Sequence, residues 1–149
     1  MYKVEFSAAD VQWQIMVLRE FPDIANRHFY PAMQRATATI KNVVEPKIPK
    51  KTGLALSEFR KAVSGKGMNI TGKIGWPYGV KAWYVNVLEY GAAPHRIGFV
   101  PELGVRIVRH PGLKALKFME RGQAEAQSMT DPEMARAAEG VVNELARHS

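Results

Sequence analysis

Residues 67–76, GMNITGKIGW, decide the sheet part of the fold, because apolar or small residues stand at every second position from Met68 to Trp76. A period of two predicts a half-buried β-strand with Trp76 packed inward. Residues 59–64 can pair with this strand through a turn at residues 64–67, where two glycines tolerate positive φ. The sequence therefore predicts a β-hairpin that carries basic side chains.

Helical patterns and one short strand precede this hairpin. Residues 2–6 alternate aromatic or branched residues with charged ones, which predicts a strand. A first helix is predicted to end near Pro22, and a second covers residues 24–43. Pro31 should kink or split the second helix, because proline removes a backbone donor. One face of the first helix carries Val11, Ile15 and Leu18.

The chain after the hairpin alternates between helical and extended patterns. A helix is predicted over residues 82–90, ending at Gly91, and a second hairpin or an extended excursion over residues 97–109. Helical spacing returns at residues 112–127. A separate last helix should start either at Asp131, with Pro132 in the first turn, or at a capping box of Thr130 and Glu133. Its predicted apolar stripe comprises Met134, Ala138, Val141, Val142 and Leu145. The helix over residues 82–90 has aromatic and apolar residues at helical spacing that we expect in the core: Trp83, Val87 and Tyr90.

These elements predict an α+β fold, in which a small antiparallel sheet, made of the basic hairpin and further strands, packs against a long N-terminal helix and C-terminal helices. The 149 residues suit a single domain, since domains usually hold about 100 to 200 residues. The longest aliphatic run covers only residues 15–18, and no signal pattern opens the chain. Neither a membrane partner nor secretion is expected. The absence of cysteine excludes disulfides and thiol chemistry.

Basic charge is concentrated in one segment. The formal net charge is +7, and the segment from Lys41 to Lys81 holds nine basic residues against Glu45 and Glu58, while the flanking segments are each neutral in sum. This asymmetry predicts a basic face for an acidic partner, either nucleic acid or protein, although a solvated, lysine-rich sheet edge would have the same composition. The candidate face comprises Lys47, Lys50, Lys51, Arg60, Lys61, Lys66 and Lys73.

No catalytic, metal or cofactor site is predicted. Residues 67–74 fit the phosphate-binding loop pattern Gly-x4-Gly-Lys, but Ile74 has no hydroxyl group for magnesium. The four histidines lack a spacing that would place two zinc ligands on one helix face. Glu89 stands among aromatic residues, and we interpret it as a structural hydrogen-bond partner, with a catalytic carboxylate of a small hydrolase or nuclease as the alternative.

Sequence-independent binding of nucleic acid is a second functional hypothesis. Aromatic residues near the basic hairpin could stack on bases while lysines contact phosphates. The chain has no known recognition motif, so we expect no sequence readout. The aromatic residues concerned are Trp76, Tyr78, Trp83 and Tyr84.

Three segments carry a resemblance to a known family. Residues 49–57, PKKTGLALS, are similar to a Pro-x-x-Thr-Gly-x-Leu-x-x-Ser turn, residues 84–91, YVNVLEYG, to a Tyr-x-x-x-x-Glu-aromatic-Gly segment, and residues 110–119, HPGLKALKFM, to a His-Pro-Gly-x-x-Ala-x-x-Phe-Leu run. In this order they resemble the tail-completion or minor tail proteins of long-tailed bacteriophages. The resemblance covers about residues 20–128 and leaves residues 130–149 as a helix that can be an appended element.

The motif positions have structural roles in this comparison. They are Pro49, Thr52, Gly53, Tyr84, Glu89, Tyr90, Gly91, His110, Pro111, Gly112 and Phe118. Thr52-Gly53 offers a tight turn, Glu89 can fix a helix end, and Pro111-Gly112 can start a helix. The sequence departs from the family pattern where the leucine and serine after Thr52-Gly53 are displaced by one position, at Ala92 in place of threonine, and at Lys117 in place of proline.

The resemblance implies a non-enzymatic virion protein of the phage neck that is assembled in the cytoplasm of the bacterial host. Its subunits would form a closed ring, with six copies expected, through heterologous interfaces. The ring would join the tail tube protein to a head-completion, stopper or connector protein, and its lumen would pass genomic DNA without reading the sequence. A tail-terminator role is the related alternative. The basic segment would then face an acidic neighbouring subunit or tube ring, or line the lumen.

Overall fold

The computed structural model describes residues 8–50, 53–98, 101–104 and 108–147. Its helices are α1 (Ala8–Val44), α2 (Leu54–Ser57), α3 (Val85–Tyr90) and α4 (Phe118–Arg147), with short 3-10 turns at Glu45–Lys47 and Pro101–Leu103. Its strands are β1 (Arg60–Lys66), β2 (Asn69–Gly75), β3 (His95–Ile97) and β4 (Val108–His110). The strand predicted at residues 2–6 lies outside the described residues. A search of the described helices found none long and apolar enough to cross a membrane.

The mixed helix and sheet composition confirms the predicted fold class. In the described ranges the strands form two separate two-stranded sheets, β1 with β2 and β3 with β4, so the second pair does not extend the basic hairpin. The chain divides into two compact units. Unit 1 contains Met1–Asn42, Lys61–Ile74 and Ala126–Ser149, and unit 2 contains Val43–Arg60 and Gly75–Glu125. A single domain over residues 1–149 stays a prediction.

Helix α1 continues where the sequence predicted an interruption. Pro22 and Pro31 both lie inside it, although each removes one backbone hydrogen bond at a cost of about 3 kcal/mol. The apolar face around them is buried, with Ile24, Ala25 and Ala32 each at most 1% exposed. Burial of this face outweighs the local preference for a break, because most helix stability in proteins comes from tertiary packing. The predicted face nearer the N-terminus is different, since Ile15 and Leu18 are exposed.

Helices α1 and α4 pack against each other within unit 1. Small residues allow their close approach: a Cβ atom on Gly140 would lie only 2.5 Å from Nδ1 of His28. The His28 ring is part-buried and its Nε2 lies 2.7 Å from Oε2 of Glu144. Arg27 also pairs with Glu144, and Arg35 with Glu133. His28 therefore has a polar partner at the boundary of the core.

The last helix was predicted incorrectly as two. Helix α4 runs through Thr130 and Pro132 without a new start. The Thr130 hydroxyl donates to the carbonyl of Gln127, three residues earlier, as a hydroxyl inside a helix can, instead of capping a new helix. The predicted apolar stripe is confirmed in part, because Val141 is buried while Val142 is 63% exposed, and Ala137, which the predicted stripe left out, is buried.

The basic hairpin is confirmed, but its turn is Gly67-Met68 and Lys66 belongs to β1. Gly67 has φ +63° at the first position of this two-residue turn, where a type II′ turn favours glycine. The backbone N–H of Gly67 donates to Oδ1 of Asn26 at 3.1 Å. This contact from α1 holds the turn at Gly67-Met68. Strand β2 alternates as predicted, with Ile70, Gly72 and Ile74 less exposed than the residues between them.

Candidate functional site

The side chain of Glu89 caps the N-terminus of helix α4 within unit 2. Its side chain is buried, with 6% of the residue exposed. One carboxylate oxygen accepts the backbone N–H of Met119 at 3.0 Å and the other accepts that of Glu120 at 3.2 Å. These donors belong to the first turn of α4, which has no intrahelical acceptors for them. The preceding residue, Lys117, has φ +51° and no side-chain oxygen, so Glu89 supplies the cap from a different helix.

The second and third motif segments are also joined along their backbones. Ala92 and Leu113 exchange both backbone hydrogen bonds at 2.8 Å, and the N–H of Leu116 donates to the carbonyl of Leu88 at 2.9 Å. Gly91 and Gly112 have positive φ in this contact. A Cβ atom on Gly112 would lie 2.4 Å from the Ala92 carbonyl oxygen, so the close approach requires glycine.

This pairing overturns the prediction that Pro111-Gly112 begins a helix. Residues 111–117 are not helical, and α4 begins at Phe118. The bridge to Ala92 holds the chain extended at Leu113, and Gly112 has φ +87°, which a right-handed helix excludes. The prediction that Glu89 makes structural hydrogen bonds at a helix end is confirmed.

The first motif segment contacts the same core. Gly53 has φ +71° at the start of the four-residue helix α2, and the carbonyl of Ala55 accepts Nε1–H of Trp76 at 2.7 Å. The Trp76 ring packs on Phe59 at 4.8 Å and edge-on to Phe118 at 6.0 Å between ring centroids. Phe118 is fully buried, and Trp76 packs inward as predicted. Thr52 and Lys51 lie outside the described residues.

Helix α3 presents the opposite face from the one predicted. Trp83, Val87 and Tyr90 were expected in the core, but Trp83 is 72% and Tyr90 79% exposed, and Val87 is 37% exposed. The buried positions are Ala82, Val85 and Glu89. Trp83 lies in the turn before α3, and Val87 and Tyr90 lie on the helix. The carboxylate of Glu89 points inward to cap α4, while these three residues are exposed. We call the stripe Trp83, Val87 and Tyr90 the α3 face.

The predicted basic face is divided between the two units. Lys61, Lys66 and Lys73 are exposed on the hairpin of unit 1. Lys47, Lys50 and Arg60 belong to unit 2, where Lys47 pairs with Glu125 at 2.7 Å. All of the aromatic residues that could stack on bases near the hairpin belong to unit 2: Trp76, Tyr78, Trp83 and Tyr84.

A small apolar cavity of about 270 Å³ lies within unit 1, lined by Phe21, Phe29, Met33, Met68 and Met134 among others. None of the described residues that line the cavity has a charged side chain. Among the described residues, no group of three or more histidine, aspartate or glutamate side chains could hold a metal ion.

Comparison with protein-family models, with curated proteins and with solved structures found no match for this chain.

Proposed function

We propose that the chain is a non-enzymatic structural subunit of a bacteriophage neck, which forms a closed ring between the tail tube and a head-completion or connector protein. Six copies are the expected stoichiometry, and DNA would pass through the lumen. A tail-terminator role would use the same ring and is the related alternative. Two observations support the proposal: three sequence segments resemble this family, and all three segments lie within unit 2.

The α3 face is the observation that carries the proposal. Trp83 and Tyr90 are two of the three aromatic side chains of α3 and its lead-in turn, and both are exposed, at 72% and 79%. Exposed aromatic residues grouped on one helix face are typical of binding surfaces, where tryptophan and tyrosine contribute most of the affinity. Glu89, the carboxylate that an enzyme hypothesis would need, is occupied by two backbone N–H groups. A binding surface, on a helix whose Glu89 caps α4, therefore fits this segment better than a catalytic site that uses Glu89.

Assembly can be tested by electron microscopy and sedimentation of the purified chain, alone and with tail tubes. We expect rings for the wild type. The double substitution Trp83→Ser and Tyr90→Ser should leave a folded protein that no longer assembles, because two interface aromatics contribute about 4 kcal/mol together, or roughly a thousandfold in affinity.

Tyr78→Ser is the matched control, because Tyr78 is a fully exposed aromatic residue of unit 2 that lies outside the α3 face. We expect this variant to assemble like the wild type. A wild-type chain that stays monomeric at high concentration and does not bind tail tubes would refute the proposed function. Normal assembly of the double variant would refute the role of the α3 face.

A further inference from the structure

The antiparallel pair of β3 and β4 places like side chains side by side. His95 lies directly opposite His110, and Arg96 directly opposite Arg109. The bridge between Ala92 and Leu113 has the same register and anchors the base of this two-stranded ribbon. Directly opposite residues have Cβ atoms about 5 Å apart on one face, so the two arginines share one face of the ribbon. We call the pair Arg96 and Arg109 the arginine pair.

The total charge of the chain hides this second basic region. Residues 90–119 contain five lysine and arginine residues against Glu102 alone, and the acidic residues of α4 cancel them in the sum. Arg96 and Arg109 are both exposed. Within the described part of the chain, the salt bridges include none to either arginine. Like charges directly opposite on a sheet repel each other, and an anionic partner would relieve that repulsion.

The two histidines stabilise the ribbon from its other face. Their rings stack with centroids 5.0 Å apart and planes 26° apart. Nδ1 of His95 lies 2.9 Å from the carbonyl oxygen of Ala93, and Nδ1 of His110 accepts the backbone N–H of Gly112 at 3.1 Å. Both rings are thereby oriented by the backbone, so the ribbon presents the arginine pair on a fixed support.

We propose that the arginine pair is a contact surface for the phosphate backbone of double-stranded DNA. Arginine has a planar set of donors that suits phosphate oxygens, and a two-stranded β-ribbon is narrow enough for the major groove, which is about 12 Å wide. Contacts to phosphate need charge but no apolar core, whereas the centre of a protein interface is depleted of charged residues. Two exposed arginines on a narrow ribbon therefore suit the phosphate backbone of DNA better than the centre of a protein interface.

This inference rests on the proposed function for the identity of the polyanion, because DNA is the polyanion that would pass through a neck ring. The proposed DNA contact differs in location from the basic face predicted from the sequence. The predicted basic face lies within residues 41–81, whereas the arginine pair lies outside that segment.

The test is a salt titration of binding to a fluorescent 24-base-pair duplex of mixed sequence, measured by anisotropy between 50 and 300 mM salt. The variant carries Arg96→Gln and Arg109→Gln. Because each phosphate contact contributes about 0.9 to the slope of log affinity against log salt, the slope should decrease in magnitude by about 2. The matched control, Arg19→Gln with Arg147→Gln, removes the same charge at two exposed positions outside both the ribbon and the predicted basic face and should keep the wild-type slope.

The proposal would be overturned by the absence of duplex binding by the wild type at 50 mM salt, by an unchanged slope in the Arg96 and Arg109 variant, or by an equal change in the Arg19 and Arg147 control. Polyglutamate serves as the acidic-protein probe, and a loss of polyglutamate binding with duplex binding intact would also overturn it. Circular dichroism confirms that each variant is folded. Ring formation by electron microscopy is scored separately, so rings without duplex binding would reject only this inference, and duplex binding without rings would reject only the proposed function.

Discussion

Removal of the Glu89 carboxylate should destabilise the start of α4 more than any comparable change at the surface. Glu89 accepts two backbone N–H groups at 3.0 and 3.2 Å while only 6% of the residue is exposed. Hydrogen bonds to a charged group contribute about 1.5 to 3 kcal/mol each, and partial access of water to the freed N–H groups reduces their sum. We expect Glu89→Ala to lower the free energy of unfolding by about 2 to 4 kcal/mol.

Glu89→Gln separates the hydrogen bonds from the charge. The amide retains one oxygen acceptor but turns an NH₂ group toward the second N–H and loses the attraction between a carboxylate and a helix N-terminus. A loss of about 1 to 2 kcal/mol is expected. Urea denaturation measures both values, and with a slope of about 2 kcal/mol per molar, Glu89→Ala should lower the midpoint by about 1 to 2 M.

Glu139→Gln is the control for the loss of one negative charge, because Glu139 is an exposed residue of α4. Its effect should stay within about 0.5 kcal/mol. A Glu89→Ala protein as stable as the wild type, or a control that loses as much, would refute the capping argument. A catalytic role for Glu89 predicts a different result, since polar groups kept for chemistry often reduce stability and their removal then costs little or none.

Two glycine substitutions, one in each unit, test the packing by thermal unfolding. For a chain of this size, a loss of 1 kcal/mol in stability lowers the melting temperature by about 3 °C. In unit 1, a Cβ atom on Gly72 would lie 2.4 Å from Cγ2 of Thr37, so Gly72→Ala should cost about 1 to 2 kcal/mol. The control is Gly98→Ala in unit 2, where an added Cβ atom meets nothing within 4 Å, and it should change stability by about 0.5 kcal/mol or less. In unit 2, Gly112→Ala meets both positive φ and the Ala92 carbonyl oxygen at 2.4 Å and should cost about 2 to 4 kcal/mol. Equal melting temperatures for Gly72→Ala and Gly98→Ala would contradict the first prediction, and a wild-type melting temperature for Gly112→Ala the second.

The sequence predicted the fold class, the basic hairpin and the second antiparallel pair, because each depends on local alternation and turn residues. It failed where a tertiary contact outweighed a local preference. Pro22, Pro31 and Pro132 predicted breaks, yet all three lie inside helices. A proline disfavours helix by a fixed local amount, whereas the stabilisation from burying a long apolar face depends on partners that one sequence does not identify.

The arginine pair was missed for a related reason. Net charge over a long segment averages positive and negative residues, and the acidic residues of α4 concealed the basic ribbon. The register of β3 and β4 brings Arg96 beside Arg109, although thirteen positions separate them in the chain. A charge sum over a short window around residues 90–119 would have indicated the region, but only the register shows which arginines are neighbours.

The error at α3 bears most directly on function. Helical spacing placed Trp83, Val87 and Tyr90 on one stripe that was expected in the core, but all three are exposed and Trp83 lies in the turn before α3. Periodicity identifies an apolar face and cannot distinguish a face that packs within its own chain from one that packs on another copy. In α3, Glu89 decides the direction, because a carboxylate that caps α4 must point inward and the stripe on the other side must then face out. A buried carboxylate that holds a helix start, beside exposed aromatic residues, is the arrangement expected if, as proposed, a neighbouring copy covers this face. The Trp83 and Tyr90 substitutions therefore test the proposed function more directly than any change in the buried core.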